Sequence, residues 1–158
     1  MKDILITNEE NFRFKLRVGA IIKYKNKILI TSDPWNNYWY LPGGKSTFGE
    51  STQQTLEREI KEELNCQVDT FKFAFLTENF YTKADNIKYH ELCFYYSIKL
   101  KSYDEITQKN EFIRIENGNK FRFKWVSKKE LKGWNFHPNI VIDQIWKMLS
   151  NKKLIIIK

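Results

Sequence analysis

The stretch Gly43–Cys66, GGKSTFGESTQQTLEREIKEELNC, decides how the rest of the chain is read. Ser51 and Gln54 form an S-x-x-Q capping pair, which starts a helix at about Thr52 and leaves Glu50 in the preceding loop. Leu56, Ile60 and Leu64 then recur every fourth residue as its core stripe. Asn65 stands where a left-handed C-cap is expected, and Asn is the usual substitute for Gly there. At about 100° per residue, Glu59, Glu62 and Glu63 fall within roughly a third of the helix circumference. Their arc adjoins the core stripe, so three carboxylates are expected at the edge of the buried surface. A merely solvating face would point away.

Like charges at these spacings destabilise an exposed helix by about 0.2–0.5 kcal/mol per pair, and more when desolvated. A divalent cation reverses that sign, and hard oxygen ligands completed by phosphate oxygens and waters suit Mg²⁺ or Mn²⁺. An arbitrary E-x-x-E-E helix is more often just a solvated charged face. What separates this stretch from that background is register: Gly44, Glu50, Arg58, Glu59, Ile60, Glu62, Glu63 and Cys66 all stand at fixed spacings.

This stretch resembles the Nudix box, departing from it at Asn65, where the family has Gly. The resemblance is specific for the box and general elsewhere. It implies an α/β (α+β) Nudix fold, a mixed β-sheet sandwiched between helices. It also implies a pyrophosphohydrolase that cleaves a diphosphate linkage in a nucleoside diphosphate joined to another group. On the same resemblance Arg58 orients the acidic cluster, with Glu50 nearby, and these two act with Glu59 and Glu62 as the catalytic set. Glu59, Glu62 and Glu63 would bind Mg²⁺ (or Mn²⁺), with the Gly43 carbonyl as a further ligand. Such an ion neutralises phosphate oxygens and lowers the pKa of a bound water, while a carboxylate accepts the proton. Family members differ in which carboxylate that is, and some recruit one from outside the box. Glu78, Glu91, Glu111 and Glu116 stay open for that role, each against the reading of a solvated surface charge.

Substrate contacts are sought on both sides of the box. The turn-rich segment Ser32–Gly44 holds Trp35, Tyr38, Trp39 and Tyr40, rings that either stack on a base or cover the core edge. Arg17 and Lys45 are candidates for phosphate contact, the alternative being solvent-facing charge. Tyr81 follows Cys66 by fifteen residues with no nearby Pro. In the family this disfavours ADP-ribose and makes the Tyr a near miss to the dinucleoside polyphosphate subgroup. No coenzyme A signature precedes the box; a nucleoside triphosphate, as in the MutT-like branch, is the default the resemblance implies, with other nucleoside diphosphate derivatives left open. His90 beside Glu91 reads as packed or hydrogen-bonded rather than metal-bound, and His137 as a helix-entry residue.

At 158 residues the chain fits one domain, 1–158, with a single sizeable core. Its 42% apolar and 16% aromatic content argues for a globular protein. Two cysteines, Cys66 and Cys93, suggest neither a disulfide framework nor a Cys-based zinc site, which fits a reducing compartment. No signal segment opens the chain, and the aliphatic run Leu154–Ile157 is far too short to span a bilayer, so a cytoplasmic protein is expected. The formal charge of +8 suits a polyanionic partner or simple solubility. The expected partners are a nucleotide or nucleoside diphosphate derivative and, left open, a second copy in a homodimer; a membrane is excluded and nucleic acid disfavoured. The competing reading is a non-catalytic Nudix-fold nucleotide sensor or RNA-binding module, but such relatives lose box carboxylates and none is missing here.

Outside the box, Phe12–Phe14 alternates, Arg17–Tyr24 reads as a buried strand, and a turn at Lys25–Lys27 returns it through Ile28–Ile30 as a hairpin. Further strands are expected over Phe71–Leu76, Asn79–Thr82, Tyr89–Leu100 and Phe121–Val126. Residues 101–120 read as hairpin or loop, and Ser127–Glu130 as a helix start. A final helix opens at Pro138 with Val141, Ile145, Met148 and Leu149 buried. The tail 153–158 reads as an edge strand or a partner-binding arm.

Overall fold

The strand that begins at Phe12 continues unbroken to Tyr24, passing from mixed exposure to a fully buried run at Val18–Ile22, one 13-residue strand where two pieces were expected. The computed structural model describes residues 2–8, 11–83, 85–116, 118–147 and 153–157. In chain order the elements are β1 (Leu5–Thr7), β2 (Phe12–Tyr24), β3 (Lys27–Ser32), α1 (Thr52–Leu64), β4 (Val68–Thr82) and β5 (Lys88–Leu100). They continue with α2 (Asp104–Thr107), β6 (Glu111–Glu116), β7 (Asn119–Ser127), α3 (Lys128–Leu131), a 3₁₀ turn (Asn139–Val141), α4 (Ile142–Lys147) and β8 (Lys153–Ile157). The eight strands form one mixed sheet in the order β6-β7-β3-β2-β5-β4-β8, with β1 added along β2. β2 and β5 run parallel, as do β4 and β8; the other pairs are antiparallel.

The hairpin of β2 and β3 stays zipped only at Lys23–Ile28 and Tyr24–Lys27. Beyond it the strands part, and the segment leading into the box fills the gap. The amides of Ala20 and Val18 donate to the carbonyls of Pro42 (2.7 Å) and Gly44 (2.9 Å), and Ser46 donates to Leu16 (2.9 Å). On the other side Tyr40 and Thr31 exchange both backbone bonds (2.8 and 2.9 Å). These bonds supply the splayed strands with the partners that an opening in a buried sheet has to provide.

Each sheet face carries its own apolar cluster. Leu56, Ile60 and Leu64, the predicted stripe of α1, are fully buried against Val18, Ala20, Ile22, Ile98 and Phe123. The opposite face packs Ile21, Ile30, Phe75 and Tyr95 under Leu41, Phe136, Val141 and Ile145. Helices thus cover both faces, as expected of this fold class.

Local expectations are refined in three places. Phe71–Leu76 and Asn79–Thr82 are one strand, β4, whose register shifts at Val68/Thr70 and Phe73/Phe75 break the period-2 pattern. Residues 101–120, expected as hairpin or loop, contain α2 and β6, and β6 pairs with β7 as a hairpin; the strand itself lacks the usual apolar signal because Ile113 and Ile115 face solvent. Pro138 opens a 3₁₀ turn that passes into α4, with Val141 and Ile145 buried; Met148 and Leu149 lie outside the described residues. The tail is an edge strand over Lys153–Ile157, paired with β4. Among the described residues no helix is long and apolar enough to cross a membrane.

Both caps of α1 form as read. Ser51 Oγ accepts from Gln54 N (3.2 Å), and Gln54 Oε1 accepts from Ser51 N (2.8 Å). Asn65 takes φ 57°, ψ 25°, and its amide donates to the Lys61 carbonyl (3.0 Å). Because the left-handed region costs a side chain with a Cβ about 1–2 kcal/mol, and Asn less, Asn65→Ala should destabilise by about 1 kcal/mol, or about 2–4 °C in Tm. Asn65→Gly should match or exceed the parent. Thermal melts of the two variants check this; an alanine variant as stable as the parent would count against it.

Candidate active site

Arg58, at the middle of α1, is the hub of the acidic cluster. Its Nε and Nη2 grip Glu50 in bidentate fashion (3.0 and 3.1 Å), and Nη1 reaches Glu59 Oε1 (2.7 Å) and Glu62 Oε2 (3.3 Å). Nη2 also donates to the Lys45 carbonyl (3.1 Å), tying the helix to the loop before it. Glu50 takes a further bond from the Thr55 hydroxyl (3.1 Å), so both its oxygens are engaged. The Arg58 fork holds the Glu50 carboxyl down at about 2.

The three helix carboxylates are graded in exposure, as an arc beside a core stripe requires. Glu63 is 6% exposed, the Glu59 side chain 13% and the Glu62 side chain 45%. Glu63 Oε2 accepts the Gly43 amide (3.1 Å). Burial drives the Glu63 carboxyl well above its ordinary range, and neighbouring Glu59 pushes it further, against the Gly43 amide. Burial also raises Glu59, with Arg58 opposing.

Two glycines make this closeness feasible. A Cβ on Gly43, which sits at φ 131°, would strike the Val18 carbonyl, and one on Gly44 would strike the Glu59 carboxylate. The backbone therefore lies directly against the acidic side chains.

Hydrogen bonding divides the four box carboxylates into two kinds. Among the described residues Glu50 has no oxygen to spare, whereas Glu59, Glu62 and Glu63 each keep one oxygen without a hydrogen bond. No three acidic side chains among the described residues converge into a ready-made metal cage; Arg58 draws Glu59 and Glu62 toward Glu50. Three free, hard oxygens on two helical turns are still the donor set that fits a small divalent cation.

Of the acids outside the box, Glu116 is the one that joins this field. It ends β6, and burial together with Glu62 raises its pKa. Glu111 is paired with Arg122 (2.8 Å) and Lys124 (3.2 Å), Glu78 with His90 (2.9 Å), and Glu91 with Lys15 (3.3 Å). His90 is further packed on Phe80, with ring centroids 4.4 Å apart.

A cavity of about 710 Å³ opens on the other face of β2, lined by Arg17, Gly19, Trp35, Tyr38, Tyr81 and Tyr95 among others. It brings together three of the five candidate substrate contacts, Arg17, Trp35 and Tyr81. Trp39 lies elsewhere, packed between Trp134 (5.3 Å) and the Arg122 guanidinium (5.0 Å). Lys45 is also outside, its ammonium paired with Asp3 (2.8 Å).

The sequence pattern of the NUDIX domain matches residues 13–144. The chain belongs to the Nudix family. With that family it is a hydrolase acting on phosphoric anhydrides. It is 31% identical over 141 residues to the 8-oxo-dGTP diphosphatase of Buchnera aphidicola subsp. Schizaphis graminum, spanning 85% of this chain and 95% of that one. An RNA pyrophosphohydrolase of Orientia tsutsugamushi is 33% identical over 67 residues, 40% of this chain and 42% of its own. In fold, the MutT protein of Bacillus halodurans superposes with a TM-score of 0.65 at 18% identity, over 90% of this chain and 86% of that one.

One side chain beside this cavity, Lys15, escaped the sequence reading. It forms a buried pair with Glu91, which lines the cavity, and its ammonium donates to the Tyr81 hydroxyl at 2.5 Å. The signal was present in the strand period, since Lys15 and Arg17 on β2 share the face of Glu91 and Cys93 on β5. Which strands adjoin could not be read from the period.

A Glu63→Gln variant isolates the strain of the buried carboxylate, since glutamine keeps an oxygen for the Gly43 amide. Because the folded pKa of Glu63 lies above its ordinary value near 4.5, the ionised side chain costs stability as pH rises from there to the folded pKa, and by a constant amount beyond. In chelator at pH 7, Glu63→Gln should melt at or above the parent temperature, with the advantage shrinking toward pH 4.5. Melts across pH measure this, and a variant less stable at pH 7 would contradict it.

Proposed function

We propose that the chain, acting as one domain over 1–158, is a divalent-metal-dependent pyrophosphohydrolase. Its substrate would be a nucleoside triphosphate or another nucleoside diphosphate derivative, and Mg²⁺ or Mn²⁺ its ion. The observation that carries the reading is the division of labour among the carboxylates: Glu50 saturated by Arg58 and Thr55, and Glu59, Glu62 and Glu63 each with an oxygen to spare. Likeness to an 8-oxo-dGTP diphosphatase along nearly its whole length supports the triphosphate branch.

In this reading Glu59, Glu62, Glu63 and the Gly43 carbonyl hold the ion. When bound, it neutralises the diphosphate and lowers the pKa of the attacking water. Arg58 fixes the orientation of Glu59 and Glu62 through bonds on one guanidinium. Glu62, half-exposed, accepts the proton from water, with Glu116 the nearest alternative from outside the box. Arg17, whose side chain makes no hydrogen bond or ion pair among the described residues and whose Nε is buried, binds a phosphate oxygen. Trp35, 68% exposed at the cavity, offers a face for the base. Both thiols, Cys66 and Cys93, are free and buried, in keeping with a cytoplasmic setting.

The test is release of phosphate, pyrophosphate or nucleoside monophosphate from a nucleotide panel with Mg²⁺ and Mn²⁺. Turnover should vanish with chelator and fall about a hundredfold or more in Glu62→Gln. Absence of metal-dependent turnover on every substrate, or full turnover in Glu62→Gln, would sink the reading. Arg17→Ala should raise KM about tenfold or more, the loss of one charge-assisted bond to phosphate; an unchanged KM would remove Arg17 from the phosphate site.

A further inference from the structure

The cavity across β2 from the acidic cluster carries two positive charges that its own carboxylates do not engage. Its two carboxylates are both engaged. Asp33 accepts from the amides of Trp35 and Asn36, the Asn36 side chain and the Tyr40 hydroxyl (2.6–2.9 Å). Glu91 is paired with Lys15 and accepts the Tyr81 hydroxyl at 3.4 Å. Two cations on the wall remain, Arg17 and Lys83, and among the described residues neither side chain makes a hydrogen bond or ion pair. Lys83 is exposed, its ammonium 5.5 Å from the centre of the Tyr89 ring.

The backbone positions that carry these two charges stand far apart. Arg17 is in register with Cys93, and Thr82, the neighbour of Lys83, with Lys88. The five residues from Lys88 to Cys93 correspond to roughly 16 Å along β5 at about 3.3 Å per residue. Because β5 lies between β2 and β4, about 10 Å is added across the strands. Glu91 and Tyr81 occupy the wall between them. That interval offers a phosphate no unpaired cation, since Glu91 takes up the Lys15 charge, whereas a hydroxyl-bearing sugar would find polar partners in Glu91 and Tyr81.

We propose that Lys83 is a specificity-determining residue for a second phosphate. The substrate would then be a nucleotide derivative with a phosphate group outside the diphosphate that is cleaved, separated from it by a sugar. This rests on the diphosphate-hydrolase reading of the same site. The second phosphate has two sources, the nucleoside's own ribose or the group across the scissile linkage, and matched pairs distinguish them. One pair is ATP and adenosine 3′-phosphate 5′-triphosphate; the other is ADP-ribose and ADP-ribose 1″-phosphate.

The measurement is the ratio of kcat/KM between the members of each pair, in the parent and in Lys83→Ala, Lys83→Glu and Lys83→Arg. In one pair the phosphorylated member should be preferred about tenfold, a preference retained in Lys83→Arg, lost in Lys83→Ala and inverted in Lys83→Glu. It should also weaken as salt rises. No preference in either pair, or a preference indifferent to Lys83, overturns the inference. If no member of either pair is turned over, the diphosphate-hydrolase reading fails for these substrates, and calorimetric binding of the same pairs decides separately. Tighter binding of a phosphorylated member that depends on Lys83 supports the second anion point, and equal binding overturns it.

Discussion

The structure turns on the opening between β2 and β3 and on what fills it. A hairpin that stayed zipped would use the amides of Val18 and Ala20 within the sheet; here they are given to Gly44 and Pro42. The segment leading into α1 is thereby stitched into the sheet, and Gly43 and Gly44 arrive with no side chains between the strand and the helix. From that single arrangement follow the contact of Glu63 with the Gly43 amide, the closeness of Glu59 to Gly44, and the reach of Arg58 to the Lys45 carbonyl. Packing alone could not enforce it. The backbone bonds can, because each omitted bond would leave a buried donor without a partner.

Placing carboxylates at such a point opposes folding. Glu63 is nearly inaccessible and has one amide as its hydrogen-bond partner, and ionised groups in that position are costly. The fold offsets this elsewhere, with Leu56, Ile60 and Leu64 buried on the same helix and both of its ends capped. Arg58 gives its guanidinium to three carboxylates and leaves the fourth, Glu63, to the glycine turn. A chain under pressure for stability alone would replace Glu63, so keeping it points to a role that outweighs its cost.

How far the sequence could be read depended on whether a signal was local. The caps of α1, its core stripe and the left-handed Asn65 each depend on residues within a turn or two, and each forms as expected. The grading of Glu62, Glu59 and Glu63 from half-exposed to buried also follows from their angle to the stripe of Leu56, Ile60 and Leu64, once that stripe is known. The cavity was another matter. Its walls come from β2, β4, β5 and the Asp33–Leu41 segment, and no period along one strand tells which strand lies beside it. Lys45 and Trp39 looked as exposed in sequence as Arg17 and Trp35, yet Asp3 and Trp134 engage the first pair. Both partners are remote in sequence, which is why those two residues could not be sorted beforehand.

The separation of charge across β2 gives the site its direction. On the helix side, three carboxylates keep unengaged oxygens; on the cavity side, Arg17 keeps an unengaged guanidinium among the described residues. Had the two sets touched, they would have closed into buried ion pairs, using up on each other the capacity to bind anything else. The strand carrying Val18 and Gly19 stands between them: both residues line the cavity, and Val18 also packs in the α1 cluster. Gly19 has no room for more, because a Cβ there would press into the Tyr95 ring at 2.6 Å. A ligand anionic where it meets Arg17 and cation-bound where it meets the carboxylates would satisfy both sets at once.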